Sequence, residues 1–223
     1  MKKIFLLILF TSAALAVFAQ HNSRKTYFPI WSYHQKHANI IGVSAGLWSF
    51  PINERNTTTN GIRAEVPGAG ILLLLAPRSL TAMNDTELEE AKAQPISEKI
   101  NGINISALGT ACHCNINGIT IGGTTQFSNK TNGISISLMG SFVNEHSGLQ
   151  VGGVFNETYI MNGIQVGWFN SSDRTKGIQI GLRNVSRKTK GIQIGIWNVN
   201  EKRKLPLINW NFSVKEADSS SKL

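Results

Sequence analysis

One short segment of the chain combines residue types that could do chemistry. Cys112, His113 and Cys114 are consecutive, and the chain contains two cysteines in total. Thiolates and an imidazole are ligands for soft metal ions, so the triplet is a candidate metal or redox site. Metal sites of this kind usually draw on a second, separated Cys or His pair, and none follows. We therefore expect no metal and no cofactor, with the cysteines, as a disulfide or as thiols, buried at a bend.

Motifs of other catalytic types are missing from the sequence. It contains no Gly-x-Ser-x-Gly, no His-Glu-x-x-His and no glycine-rich phosphate-binding loop. Asp and Glu total 13, and several of them fall in or beside one predicted helix, so no pair of carboxylates suggests acid-base catalysis. We expect the protein not to be an enzyme.

The carboxy-terminal third carries a cluster of basic residues. The formal net charge of the chain is +9, and 22 of its residues are Lys or Arg. A basic cluster favours anionic partners, such as envelope polymers or lipid head groups, and nothing points to nucleic acid. The alternative is that these residues are solvated turns that protect a sheet from aggregation. The candidate contact residues are Arg174, Lys176, Arg187, Lys188, Lys190, Lys202, Arg203 and Lys204.

A short repeat must position all of these residues. A phrase of the type Gly-Ile-Gln-Ile-Gly-x-x-Asn recurs with spacings of 16, 15, 15, 15, 14 and 14 residues between its leading glycines. Residues 60–62 form an earlier copy, separated by an insertion, and residues 205–212 form a degenerate last copy. The leading glycines of the regular copies are Gly102, Gly118, Gly133, Gly148, Gly163, Gly177 and Gly191.

Each copy is predicted to be one β-strand. Ile178, Ile180 and Leu182 alternate with Gln179 and other residues at period 2, and the spacing typical of a helix is missing. Because β-branched residues suit a packed sheet, we expect the isoleucines to face inward. The polar segments between copies are predicted to be turns, in which asparagine serves turn geometry.

The repeat predicts an all-β protein of about ten short strands, and two architectures fit. In the first, consecutive strands form an antiparallel meander or a closed, barrel-like sheet. In the second, the strands run parallel as turns of a β-solenoid. We favour the meander, because the linker 171–176 has no apolar residue and 185–190 has one, too few to cover an apolar core. A barrel with its isoleucines outward would be a small outer-membrane pore or anchor.

Residues outside the repeat suggest the domain organisation. Residues 1–19 are typical of a signal peptide, with Lys2 and Lys3 before an apolar run. Residues 20–212 are predicted to form a single β-repeat domain, and residues 213–223 a disordered tail. Within the domain, residues 84–98 are predicted to be a helical insertion, capped by Asn84 and Glu87. The run 71–75 predicts either a buried strand or a short apolar helix.

The phrases 177–184 and 191–198, together with the ending 205–210, resemble a family of bacterial surface-repeat proteins best known from leptospires. The resemblance covers roughly residues 100–212 and implies an envelope or surface protein without assigned chemistry, so it transfers no site residues. Some of these proteins are lipoproteins, whereas this chain has no cysteine near the predicted cleavage site. We therefore expect a non-enzymatic, exported protein at the cell surface, in the outer membrane or in the periplasm, with a structural or partner-binding role.

Overall fold

The computed structural model describes residues 24–49, 55–76 and 78–212. The predicted signal peptide and the predicted tail lie outside these residues. Short strands alternate with turns along most of the chain, and two helices interrupt the strand series between β4 and β5. The strands are β1 (Lys25–Tyr27), β2 (Ile30–Ser32), β3 (Ala38–Gly46), β4 (Thr57–Glu65), β5 (Glu98–Ser106), β6 (Cys114–Gly122), β7 (Thr125–Ser137), β8 (Gly140–Gly152), β9 (Phe155–Val166), β10 (Phe169–Val199) and β11 (Lys204–Asn211); the helices are a 3₁₀ helix (Gly70–Leu75), here the leucine helix, and α1 (Asp85–Ala93).

The strands form a β-solenoid of about ten turns. From β3 to β10, each strand pairs in parallel with the strand one turn before it, and β10 itself runs on through successive turns. The prediction of an antiparallel meander or closed barrel was therefore wrong, and the alternative solenoid is the observed fold. Among the described strands, only β11 pairs antiparallel, with Gly191 opposite Asn211. The degenerate last copy thus closes the stack instead of extending it.

The leading glycines of the repeat stack into one column along the solenoid. Gly61 pairs with Gly102, which confirms residues 60–62 as an earlier copy, and Gly42 pairs with Gly61 one turn before. At Gly163 the backbone has φ +135°, and an added Cβ would lie 2.0 Å from the carbonyl oxygen of Gly148. Only glycine combines that dihedral with so close an approach of the neighbouring turn. The spacing between successive leading glycines therefore equals the number of residues in one solenoid turn.

The side chains face the opposite way to the sequence expectation. Gln179 is fully buried, whereas Ile180 beside it is 40 % exposed. The same holds along the stack, where the residue two places after each column glycine faces the interior and is at most 2 % exposed. This interior column is Ser44, Arg63, Asn104, Thr120, Ser135, Gln150, Gln165, Gln179 and Gln193.

Hydrogen bonds between turns explain why polar residues can fill the interior. Gln179 Nε2 donates to Gln165 Oε1 at 2.7 Å, and Gln193 Nε2 donates to Gln179 Oε1 at 2.8 Å. In the same way Asn170 donates to Asn184, also at 2.7 Å. Stacking identical amides one turn apart gives each a partner, so burial leaves few of their groups unpaired. The asparagines therefore build an interior ladder rather than serving turn geometry alone.

The polar interior also removes the argument against a solenoid. The linkers cover the core with hydroxyl groups, because Ser172, Thr175, Ser186 and Thr189 are each at most 5 % exposed. An apolar lining was never needed on that side.

Helix α1 lies within the predicted helical insertion 84–98, but it ends at Ala93, and β5 already begins at Glu98. Asn84 Oδ1 accepts a hydrogen bond from the backbone N–H of Glu87 at 2.8 Å, and Glu87 Oε2 accepts one from the N–H of Met83 at 3.0 Å. The first bond satisfies an N–H group that the first turn of the helix cannot pair, and the second ties Glu87 to the residue before the cap. The apolar run 71–75 belongs to the leucine helix and is mostly exposed, not a buried strand.

Candidate functional site

The Cys112–His113–Cys114 triplet lies at the bend that leads into β6. Cys112 and Cys114 form a disulfide and are fully buried, beside Ile100 and Ile116. Burial lowers the pKa of His113, so its imidazole is neutral around pH 7. Among the described residues, no group of three or more His, Cys, Asp or Glu side chains is arranged to hold a metal ion. The triplet lies at a bend with both cysteines packed in the interior.

His113 also lines a cavity of about 550 Å³ between α1 and the solenoid. Cavities of this size accommodate small organic molecules. Its lining mixes apolar groups with polar and charged ones of both signs, and no single chemistry dominates. The lining residues are Arg78, Ser79, Leu80, Thr81, Ala82, Met83, Glu87, Glu90, Ala91, Gln94, His113, Phe127 and Asn144.

Polar contacts fasten the helical insertion to the solenoid. Lys92 of α1 pairs with Glu145 at 2.8 Å, and the N–H of Ala82 donates to Asn144 Oδ1 at 2.9 Å. At the start of α1, Asp85 accepts a hydrogen bond from Tyr159 at 2.7 Å, which together with burial raises the pKa of Tyr159 to about 12. These contacts hold α1, which forms one wall of the cavity, in place on the solenoid.

The structure divides the predicted basic cluster into separate groups. Arg174 pairs with Asp85 and lies over the ring of Tyr159, and Arg187 pairs with Asp173 at 3.4 Å. Arg187 also donates to the backbone carbonyl of Met83 at 3.4 Å, so both arginines contact the segment that carries α1. Arg203 lies over the ring of Trp210.

The exposed lysines of the cluster occupy two places. Lys176 and Lys190 directly precede the column glycines Gly177 and Gly191, one turn apart on the same edge. Lys188 is exposed close by, and Lys202 and Lys204 lie at the closing turn before and at the start of β11.

A buried ionic network fills the interior of the amino-terminal turns. The guanidinium of Arg63 donates to Glu98 and to Glu65, at 3.0 Å each, and lies 3.9 Å from the centroid of the Tyr33 ring. Arg55 makes a second ion pair with Glu98 at 3.3 Å. Burial raises the pKa of Glu98 even though both arginines oppose this. Burial alone would lower the pKa of Arg63, but Glu98 and Glu65 together outweigh it and raise that pKa. The charged groups of this network are at most 3 % exposed, so the network contributes to the packing of the interior.

One face of the solenoid is aliphatic and uncovered. The residues one and three places after each column glycine point outward, and none of them is buried. In β11, Ile208 lies opposite Ile194 and continues the face. This aliphatic face consists of Val43, Ala45, Ile62, Ala64, Ile103, Ile105, Ile119, Ile121, Ile134, Ile136, Leu149, Val151, Ile164, Val166, Ile178, Ile180, Ile192, Ile194, Ile208 and Trp210.

The two borders of the aliphatic face differ. On the border that precedes the glycine column lie the stacked amides of Asn101, Asn117 and Asn132, and further along Lys176 and Lys190. On the other border, five places after the column glycines, the residues are mostly large and apolar. Those of them exposed by more than 40 % are Leu47, Val66, Leu138, Trp168, Leu182 and Ile196.

Comparisons with known proteins do not identify this arrangement. The chain matches no protein-family model, no curated protein and no solved structure. Within residues 24–49, 55–76 and 78–212, no helix is long and apolar enough to cross a lipid bilayer.

Sequence reasoning missed the ionic network and the direction of the aliphatic face. A signal for the network was present, because Arg63 follows Gly61 by the same two places that separate Gln165 from Gly163. Aligning the copies would have placed a charged residue in the interior column. No signal in the alternation itself says which of the two sides is covered.

Proposed function

We propose that the protein is a non-enzymatic, exported repeat protein of a bacterial cell envelope, and that it binds its partner through the aliphatic face. The observation that carries the proposal is this face, which contains twenty mostly aliphatic side chains and is covered by no other element of the described chain. Exposed apolar patches larger than a few hundred Å² usually mark interaction sites. The export part of the proposal rests on the signal-like residues 1–19. The proposal also includes a relationship to the leptospiral-type surface repeats.

The scaffold suits binding better than catalysis. Parallel strands, stacked glycines and interior amide ladders fix the face along its whole length. Rigid surfaces lose little conformational entropy when they bind. Glu65 and Glu98 are instead buried in the ionic network, and Asp85 and Glu145 pair with basic residues where the insertion meets the solenoid.

Cell fractionation tests this proposal. Produced with its own amino terminus in a bacterium with two membranes, the chain should be recovered from the envelope fraction without residues 1–19. Ile164→Glu/Ile180→Glu, here the face variant, should be exported equally but released from washed envelopes. Asn162→Glu is the control for added charge, because Asn162 is exposed on the border beside Lys176 and its replacement removes no apolar side chain from the face. Recovery of the unprocessed chain from the cytosol, or equal retention of all three proteins, would refute the proposal.

A further inference from the structure

We propose that the partner of the aliphatic face is the surface of an anionic phospholipid bilayer, on which the solenoid lies with its isoleucines at the boundary of the acyl chains. The inference rests on the proposed function and specifies the partner. It follows from the chemistry of the face, of its two borders and of the leucine helix.

The face itself offers alkyl groups and almost nothing else. Eighteen side chains of the face are Val, Ala, Ile or Leu over nine stacked turns, from Val43 to Ile194. At about 4.8 Å per turn the face is roughly 40 Å long. The backbone groups of these strands are paired between turns, so contact with lipid would leave no ladder hydrogen bond unmade. A surface without donors or acceptors cannot recognise a polar partner by hydrogen bonds, whereas it is suited to acyl chains.

The lysine border matches negatively charged head groups. Lys176 and Lys190 are exposed on the edge of the face, one turn apart, and Lys188 is exposed nearby. The ordinary positions of lysine in membrane-surface proteins are of this kind, because the alkyl stem lies along the apolar surface while the ammonium group reaches the head groups. The formal net charge of +9 has the same sign. An anionic bilayer therefore fits better than a neutral one.

The opposite border carries residues that prefer the membrane interface. Trp168 is 58 % exposed and Ile196 is 66 % exposed at equivalent positions two turns apart. Trp197 follows Ile196 and is 45 % exposed. Tryptophan concentrates at the level of the lipid head groups because its ring is apolar and its N–H is polar.

The leucine helix adds a second exposed apolar element near this border. Leu75 is 80 % exposed and Leu72 is 51 % exposed, while Leu73 and Leu74 line a cavity with Phe155 and Phe169. A protein partner would need a fitted pocket for each projecting side chain. A bilayer deforms around such side chains, which favours lipid over a protein partner. A second copy of this chain would in addition carry a net charge of the same sign as the first.

Vesicle binding tests the inference. The purified chain should bind vesicles of phosphatidylglycerol and phosphatidylcholine in equal parts at least ~10-fold more tightly than vesicles of phosphatidylcholine alone, and added salt should reduce the difference. The face variant should bind the anionic vesicles at least ~10-fold more weakly, because two isoleucines no longer enter the acyl boundary and two negative charges face the anionic head groups. Asn162→Glu should change binding by less than ~5-fold, since it adds one charge and removes no apolar group.

The lysine border has its own test. Lys176→Gln/Lys190→Gln should weaken binding to the anionic vesicles by about 20-fold and leave binding to phosphatidylcholine unchanged. If the face variant fails to fold, Ile164→Thr/Ile180→Thr replaces it, because threonine keeps the β-branched shape. This variant should also bind the anionic vesicles more weakly than the unmodified chain.

Three outcomes separate the possibilities. Loss of vesicle binding in the face variant but not in its control supports the inference. Equal vesicle binding of the chain and the face variant refutes it, as does a dimer in sedimentation analysis that the face variant dissociates, which would make a second copy the occupant. If envelope retention depends on the face but anionic vesicles do not bind, the lipid inference fails while the proposed function stands.

Discussion

The two ends of the solenoid fill the same backbone with different chemistry. In the turns of Gly148 to Gly191, the interior column holds four glutamines that bond to one another. In the turns of Gly42 to Gly118, the same column holds Ser44, Arg63, Asn104 and Thr120, with the ionic network and the apolar cluster of Ile100 beside it.

The difference follows from the regularity of the turns. The glutamine turns succeed one another every 14 or 15 residues, so identical side chains meet at hydrogen-bond distance. The amino-terminal turns are interrupted by residues 66–97, which carry both helices. An irregular stack cannot rely on repetition, so its buried charges are balanced by specific partners instead. The fold therefore tolerates two kinds of polar interior as long as each group is paired.

The largest expected effect comes from making the amino-terminal turns resemble the others. Arg63→Gln places the carboxy-terminal residue type in the amino-terminal column, but it leaves Glu65 and part of Glu98 without a cation. Removing one partner of a buried ion pair costs about 3–5 kcal/mol of unfolding free energy. Chemical denaturation measures this loss. Arg63→Gln/Glu65→Gln should recover much of it, because Glu98 keeps its ion pair with Arg55. A cost below about 1 kcal/mol for the single variant would show that the network is not needed.

His146 lies between the two regions and makes the stability of the folded chain depend on pH. It is fully buried, opposite Thr131 and Met161 of the adjacent turns, and burial lowers its pKa from 6.5 to about 4. Between these values the unfolded chain binds a proton that the folded chain does not, so stability falls as the pH drops from 6.5 towards 4. The full effect is about 3 kcal/mol.

His146→Met supplies the control, because it copies Met161 of the next turn and does not titrate. Unfolding free energies at pH 7 and pH 4.5 should differ less in this variant than in the unmodified chain. An equal pH dependence in both proteins would show that other groups are responsible.

A smaller effect is expected within the glutamine ladder. Gln179→Leu removes the acceptor of Gln193 and the donor to Gln165, which should cost about 2–3 kcal/mol because buried partners lose hydrogen bonds. Ile180→Thr, on the outward side of the same strand, should cost less than about 1 kcal/mol. Thermal or denaturant unfolding of the two variants gives the ranking. A reversed order would mean that the interior column accepts leucine in place of glutamine at little cost in stability.

The sequence predicted the repeated units well because their signals are local. The period of the glycines, the alternation within each strand and the cap at Asn84 all appear in the structure. Each depends on backbone dihedrals or hydrogen bonds among residues close in the chain.

The arrangement of those units was not predictable from the same signals. Alternation separates Gln179 from Ile180 but does not say which is inside, and the usual preference for apolar interiors points the wrong way here. We favoured the meander over the solenoid because we assumed an apolar interior. Likewise Arg63 and Glu98 are 35 residues apart and meet only because residues 66–97 loop out of the stack. The aliphatic face could not be recognised as an exposed surface before its direction was known.

Thiol labelling of two adjacent positions tests the polar interior most directly. In the oxidised protein Cys112 and Cys114 form a disulfide, so an introduced cysteine is the reactive thiol among the described residues. Ile180→Cys should react with a water-soluble maleimide at nearly the rate of a free thiol, whereas Gln179→Cys should react only after denaturation. Protection of position 180 together with reactivity at position 179 would contradict the account.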